Sequence, residues 1–307
     1  MNRLLAVALL ALAGLNTFAG TVRVATYNLE NYLDAPTVSR PHIKTDAAKA
    51  KVRESIRALN PDVVALEEVG TTNALLELRD ALKNNGLDFP FWEHVQSFDT
   101  NIHVAVLSKL PIVARRPHTN EVFLLDGKRF QVKRGFAEVD IQVAQAATNF
   151  VFTLFVAHLK SHLTTAEADE AEERLGEAKV LRSLLDARLA REPAAHLLVA
   201  GDFNDTPDSP AVKTVLGHGK TMLFDARPAE HNGDTAPGEP PYLEPRNVNW
   251  TYYYSKSDTY ARIDYLLFSP ALKSHWLAAE TYVPQIPDWG VGSDHRPIVT
   301  AFTTGDR

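Results

Sequence analysis

The stretch Ala195–Asp205, which reads Ala-His-Leu-Leu-Val-Ala-Gly-Asp-Phe-Asn-Asp, constrains the fold more than any other part of the chain. An apolar run this short, cut off by Gly201, reads as a buried strand, although periodicity alone does not separate it from a helix. Asp202 and Asn204 follow at alternate positions, so an extended or gently turning backbone puts them on one side. One can accept a proton or ligate a cation, and the other can donate and accept hydrogen bonds. Gly, Asp and Asn are also common turn residues. Partners elsewhere in the chain must decide between a loop and a site.

Residues 1–19 are set apart from the rest. Arg3, the apolar run Leu4–Leu15 and then Thr17-Phe18-Ala19 have the form of a signal peptide with its cleavage site. Its loss would leave residues 20–307 as the mature domain, secreted or periplasmic, and would remove one base and no acid, taking the formal charge from −6 to −7. A protein of that sign does not attract polyanions through its overall field, so nucleic-acid binding would need a local basic face. No later apolar stretch is long enough for an integral membrane segment. The absence of cysteine excludes disulfides and thiolate chemistry.

Along the mature chain, apolar strands end in polar residues again and again. Thr21–Tyr27 alternates and is followed by Asn28. A helix is predicted over Lys44–Leu59, closed by Asn60-Pro61. The strand Asp62–Leu66 ends in Glu67-Glu68, and regular alternation lets at most one of these acids face inward. A second helix is predicted over Thr72–Asn84, and short strands with turn residues between them fill the region to Val143. Asn149–Ala157 delivers His158-Leu159-Lys160-Ser161-His162. Over Ala166–Arg191 a long helix is predicted, with Leu175, Ala178, Leu181, Leu185 and Leu189 as the core stripe and the charges as a solvated face. Asp225–Asn249 reads as a long surface loop. Asp264 stands inside the apolar run Ile263–Phe268, which is costly unless the acid is paired. Asp294-His295 precedes the last strand, Ile298–Phe302.

The words Thr26-Tyr27-Asn28, Pro61–Val69, His158-Leu159-Lys160-Ser161, Gly201–Asn204, Arg262-Ile263-Asp264-Tyr265 and Ser293–Pro297 occur in one order over nearly the whole mature chain. In this the chain resembles the endonuclease/exonuclease/phosphatase superfamily, most of all its secreted bacterial nuclease-like members. The resemblance implies an α/β fold, a four-layer α/β sandwich of two packed mixed β-sheets flanked by helices, with the site where strand ends of both sheets meet. It implies a metal-dependent phosphoesterase. Asn28 and Glu68, with Asp294, would hold Mg2+, or Mn2+ or Ca2+ in its place. Asp202 would orient the attacking water and Asn204 would fix that water or a phosphoryl oxygen. Asp264 would pair with His295, which with His158 would stabilise charge on the phosphoryl group. Whether Asp202 or His295 takes the water's proton stays open.

Two features depart from the pattern. Glu67 stands where the family usually has Gln, and the acid that partners the first catalytic histidine in the deoxyribonucleases has only Glu93 or Asp99 as candidates. The i, i+4 spacing of His158 and His162 does not make a zinc site, since no third ligand or helical H-E-x-x-H context accompanies it. The expected substrate is a phosphodiester, DNA or RNA, cleaved by a monomer. Lys109, Arg115, Arg116, Lys128, Arg129, Lys133, Arg134 and Lys160 would form the basic face, and Trp250–Tyr254 would offer stacking surfaces or core. Inositol phosphates or phospholipid headgroups are the alternative substrates, and a non-catalytic binding module is the alternative class.

Overall fold

The computed structural model describes residues 20–145, 148–233, 236, 238–240 and 247–305. The signal-like residues 1–19 lie outside this range, as does part of the loop expected over Asp225–Asn249. The chain opens with β1 (Thr21–Tyr32), α1 (Asp46–Leu59), β2 (Val63–Val69) and α2 (Thr72–Asn84). The β-rich middle holds β3 (Phe91–Val95), β4 (His103–Ser108), β5 (Ile112–Arg115), β6 (Val122–Leu125), β7 (Lys128–Gln131), β8 (Phe136–Gln145) and β9 (Thr148–His158). There follow α3 (Glu170–Arg191), β10 (Leu197–Asp202), α4 (Pro210–Leu216) and β11 (Phe224–Asp225). The chain ends with β12 (Tyr252–Tyr254), β13 (Thr259–Ala261), β14 (Asp264–Phe268), α5 (Pro270–Lys273) and β15 (Ile298–Thr303).

Two mixed sheets form the body, one in the order β15-β1-β2-β4-β3 and the other β11-β14-β10-β9-β8-β5. Alternation along their strands explains the layers. Val22, Val24, Ala65 and Val106 of the first sheet meet Val139, Leu154, Ala200 and Leu266 of the second in an apolar centre. The opposite face of the first sheet packs Tyr27 and Leu66 against Val52 and Ile56 of α1 and Leu75 and Leu78 of α2. On the outer face of the second, Phe155 and Val199 meet Leu181 and Leu185 of α3 and Val212 of α4. The four-layer α/β sandwich follows from these three apolar interfaces.

Local chemistry sets where the elements stop. Thr45 caps α1 by accepting from the Ala48 N–H at 3.2 Å, and Asn60 ends it in the left-handed region at φ 43°. Gly201 sits in β10 at φ 138°, and a Cβ there would lie 1.9 Å from the Ala157 carbonyl oxygen. Only glycine lets β10 and β9 run this close.

Helix α3 departs from the sequence expectation. It begins at Glu170, capped by Asp169, and buries Glu173, Arg174 and Glu177 beside its apolar stripe, while Leu175 is only half-buried. Arg174, Glu177, Ala178 and Leu181 follow the i, i+3, i+4, i+7 rule, so the stripe simply continues one turn back through charged residues. These are not solvated charges, because each has a fixed partner. Glu177 accepts from the backbone N–H of Lys133 at 3.1 Å and of Lys160 at 2.7 Å. Arg174 donates to the Lys160 carbonyl at 3.0 Å and to Asp205 at 2.9 Å.

Candidate active site

Register places the polar strand ends of the second sheet side by side. Asp202 lies opposite His158 in the parallel β10–β9 pair and opposite Asp264 in the antiparallel β10–β14 pair. All three are buried. Beyond β10 the chain turns, with Asn204 at φ 53°, so the Asp202/Asn204 pairing rests on a tight turn rather than on extended alternation. The Asn204 backbone N–H donates to Asp202 Oδ1 at 2.7 Å, and its side-chain amide donates to Asp202 Oδ2 at 3.2 Å and to the Leu159 carbonyl at 3.0 Å. Asp202 is thereby held from two sides.

The first sheet reaches the same point through an irregular backbone. Asn28 pairs with Glu67 in the parallel β1–β2 ladder, so Glu67 shares its inward face. Between Leu66 and Val69 the register shifts, and Glu68 adopts φ 60°. This bulge turns Glu68 inward too, so both acids reach the interior, contrary to the alternation rule. Glu68 Oε2 accepts from the Asn31 backbone N–H at 3.0 Å, and its Oε1 lies 3.4 Å from Asn28 Nδ2. Asn28 Nδ2 also donates to Asp202 Oδ2 at 2.9 Å, joining the two sheets. The Asn28 oxygen accepts from the Glu30 N–H at 2.9 Å. In this arrangement Asn28 turns its nitrogen, not its oxygen, toward the carboxylates.

His295 comes from the segment before β15. Its Nδ1 lies 3.0 Å from Asp264 Oδ2, the pairing that an acid in an apolar strand required. Its Nε2 lies 3.8 Å from Asp202 Oδ2 and 3.9 Å from Asp294. His158 Nε2 approaches the same Asp202 oxygen at 3.5 Å and Glu68 at 3.9 Å. Asp202 Oδ2 is therefore the common neighbour of both imidazoles and of Asn28. Asp202, Asp264 and His295 bring ligand atoms within 4.8 Å of one another, close enough to hold a metal ion.

Charge follows from this crowding. Burial lifts the Asp202 carboxyl to about 7, with His295 pulling it down and Asp264 pushing it up. Burial likewise raises Asp294 to about 6, against His295 and with help from Glu30 and Glu68. Burial opposes the charged form of His295, but Asp264 and Asp202 outweigh it and hold its pKa well above the ordinary value. His158 goes the other way, because burial and the nearby Arg134 favour its neutral form. Glu67 is pushed well up by burial and by Asp264, and accepts from Thr26 Oγ1 at 2.8 Å.

Several sequence expectations need correction here. Neither Glu93 nor Asp99 partners His158. Glu93 lies on the edge strand β3 and pairs with Arg115 at 2.8 Å, while Asp99 lies 3.8 Å from Arg134. The buried Nδ1 of His158 has no hydrogen-bond partner among the described residues. His162 is exposed, whereas His158 is buried. The expected basic face is broken up. Lys109 turns to Asp62, Arg115 to Glu93, Arg116 to Glu138 and Asp140, and Arg134 to the Leu159 carbonyl, while Lys160 bonds the Ser161 carbonyl. Tyr252 was not singled out by the sequence beyond its aromatic run, yet its ring centroid lies 4.8 Å from that of His295. Glu177, also missed, fixes the segment just after His158 through Lys160.

The comparisons fit this geometry. Among curated proteins none matches the chain. In fold it is similar to sphingomyelinase C from Streptomyces griseocarneus, at 21% identity over 93% of this chain and 100% of that one, with a TM-score of 0.60. It is similar to the beta toxin of Staphylococcus aureus at 17% identity, over 92% and 99% of the two chains, TM-score 0.61. The catalytic domain of human Nocturnin is similar at 15% identity, over 93% and 95%, TM-score 0.60. Identities this low speak for the fold alone. The family itself is settled by a sequence model, that of the Endonuclease/Exonuclease/phosphatase family, which matches residues 25–295. The chain belongs to this family of metal-dependent phosphoesterases.

Proposed function

We propose that the chain is a secreted, Mg2+-dependent phosphodiesterase that cleaves nucleic acid by in-line attack of water, with residues 20–307 as the mature domain. The observation that carries this reading is the meeting of Asp202, Asp264, His295 and His158 with Glu68 and Asn28 at the seam between the sheets. The donors are carboxylates and an amide, with no thiol, which suits a hard divalent cation. Glu68 and Asp294 would hold it, and Asn28 would join if its amide turned over. The Asp202–Asp264–His295 cluster alone suits a metal less well, because a protonated imidazole has no lone pair to give. Once bound, such a cation offsets charge on the phosphoryl oxygens; Mn2+ and Ca2+ share the ligand preference.

The side chains divide the remaining work. Asp202, with its carboxyl raised to about 7, is placed to orient water and take its proton. Asn204 holds Asp202 in position through two hydrogen bonds. His295, charged through Asp264, presents Nε2 to the phosphoryl group or leaving oxygen, and neutral His158 faces the same space. A second reading, hydrolysis of phospholipid headgroups, draws on the half-exposed Tyr254 and Tyr260 of the β12–β13 ribbon near His295. Among the described residues no helix is long and apolar enough to cross a membrane. Purified protein should be assayed on DNA, RNA, sphingomyelin and bis(4-nitrophenyl) phosphate, with Mg2+ and with EDTA. EDTA-sensitive cleavage of DNA or RNA is the expected result. Cleavage of sphingomyelin alone would move the conclusion to the second reading, and no hydrolysis with any divalent cation would refute both.

A further inference from the structure

The cations left over from the broken basic face converge on a different place. Lys128, Arg129 and Lys133 line a cavity of about 790 Å³ together with Phe98, Phe130 and Glu167. Lys128 and Arg129 are exposed, and the ion pairs among the described residues include none of these three cations. Against Glu167 the three cations leave this wall with a net charge of +2. That is a local reversal of sign on a protein of formal charge −6. Phe98 keeps 36% of its surface exposed, and among the described residues no ring or cation stacks on it.

The groove is pinned to the segment that carries His158. Its floor is the β6–β7 ribbon, whose Phe123 seats directly on Gly176 of α3, where even a Cβ would lie 2.3 Å from the ring. Its inner end is tied down by Glu177, which binds the backbone N–H of both Lys133 and Lys160. Arg134, next in the chain after Lys133, donates to the carbonyl of Leu159, the residue that follows His158. Phe98 and Glu167 lie on the two loops that flank this junction, one before β4 and one after β9.

We propose that this groove holds the strand of a single-stranded polynucleotide beyond the bond being cut, its phosphates against Lys128, Arg129 and Lys133 and one base stacked on Phe98. The inference rests on the phosphodiesterase reading and adds the substrate class. Cations spaced along a groove with an exposed aromatic ring are what single strands require, since every base has a π-face. In a duplex the bases are already stacked, so only its phosphates could engage.

The test is fluorescence anisotropy with a labelled single-stranded 12-mer, in EDTA to prevent cleavage, over a range of salt concentrations. Each phosphate contact on a single strand contributes about −0.7 to the slope of log K against log salt. The triple variant Lys128→Ala/Arg129→Ala/Lys133→Ala should therefore lose about 2 from the slope, and Arg129→Gln alone about one third of that. Phe98→Ala should weaken binding about 5- to 150-fold with the slope unchanged. Hydrolysis of bis(4-nitrophenyl) phosphate, too small to reach the groove, should be the same in all variants. Equal slopes in wild type and triple variant would overturn the proposal. So would unchanged oligonucleotide binding with loss of binding to phosphatidylserine vesicles, which would assign the groove to a membrane surface. If the wild type hydrolysed no phosphodiester, the catalytic reading would fail, while anisotropy would still decide the groove.

Discussion

The two sheets build their halves of the site by opposite means. On the second sheet, His158, Asp202 and Asp264 stand in direct register at the ends of regular strands, fixed by the ladder itself. On the first, Glu30, Asn31 and Glu68 all adopt positive φ, and β2 is bulged where its acids leave the ladder. A regular ladder positions side chains through backbone hydrogen bonds shared with the whole sheet. A bulge positions them at a local cost in strain, and in return can turn two neighbouring acids to one side. On the proposed reading, Asp202 of the regular half takes the proton and Glu68 of the bulged half faces the cation.

The comparison breaks most readily at Gly201. Gly201→Ala would drive a methyl into the Ala157 carbonyl at a φ that suits only glycine. We expect a loss of more than about 3 kcal/mol in urea unfolding, or failure to fold. A well-folded variant with unchanged midpoint would show that β9 and β10 are not locked as described.

A somewhat smaller effect is expected where Asp264 of the regular half meets His295, which precedes β15. His295→Ala should reduce turnover about 10²–10³-fold, as loss of one electrostatic donor does. With Asp264→Asn added, the double variant should be little worse, since the two residues act as one unit. Circular dichroism must first show His295→Ala, Asp264→Asn and the double variant folded; strictly multiplicative losses would separate the pair.

Toward the bulged end, β4 pairs with β2 at Val69 and His103, and His103 brings a pH liability. Burial, with His94 close by, lowers its pKa to about 4. The unfolded chain, titrating near the ordinary value of about 6.5, then binds the proton first. The stability this group contributes is full above that value and declines as pH falls toward 4, by on the order of 2 kcal/mol. His103→Gln should lose less stability than wild type between pH 7 and 4.5. Equal losses in urea melts would remove His103 as the cause.

The smallest effect sharpens the contrast. Glu68→Asn puts a residue that tolerates positive φ at the bulge and should stabilise the protein by about 1 kcal/mol while abolishing activity. A destabilised variant would mean that the bulge is not strained at Glu68.

The regular half was the legible one. Short apolar runs ending in His158 and Asp202 predict strands with polar ends, and the cost of a buried acid at Asp264 predicts a partner, which the family resemblance identified as His295. The bulged half was less so, because alternation assumes an unbroken strand and nothing in Glu67-Glu68 announces a left-handed residue. Helix α3 was misread for a different reason. Charges were assigned to solvent by type, although the helical period placed Arg174 and Glu177 on the buried stripe. The basic face failed because a list of cations in sequence says nothing of which acids lie across the neighbouring strand. Arg116 between Glu138 and Asp140 is the plain case.

The bond from the Ser293 hydroxyl to the Asn28 carbonyl spans 265 residues, and β15 lies beside β1. The site thus draws on the first strand and on the segment that precedes the last. A nascent chain still on the ribosome holds every earlier piece but not His295, nor the strand that anchors it. Such long-range closure comes late, because the entropy of a loop this size must be met before its contacts reward it. His295 therefore joins Asn28, His158, Asp202 and Asp264 only after all of them have been made, and a product cut before it lacks the imidazole proposed to face the phosphoryl group.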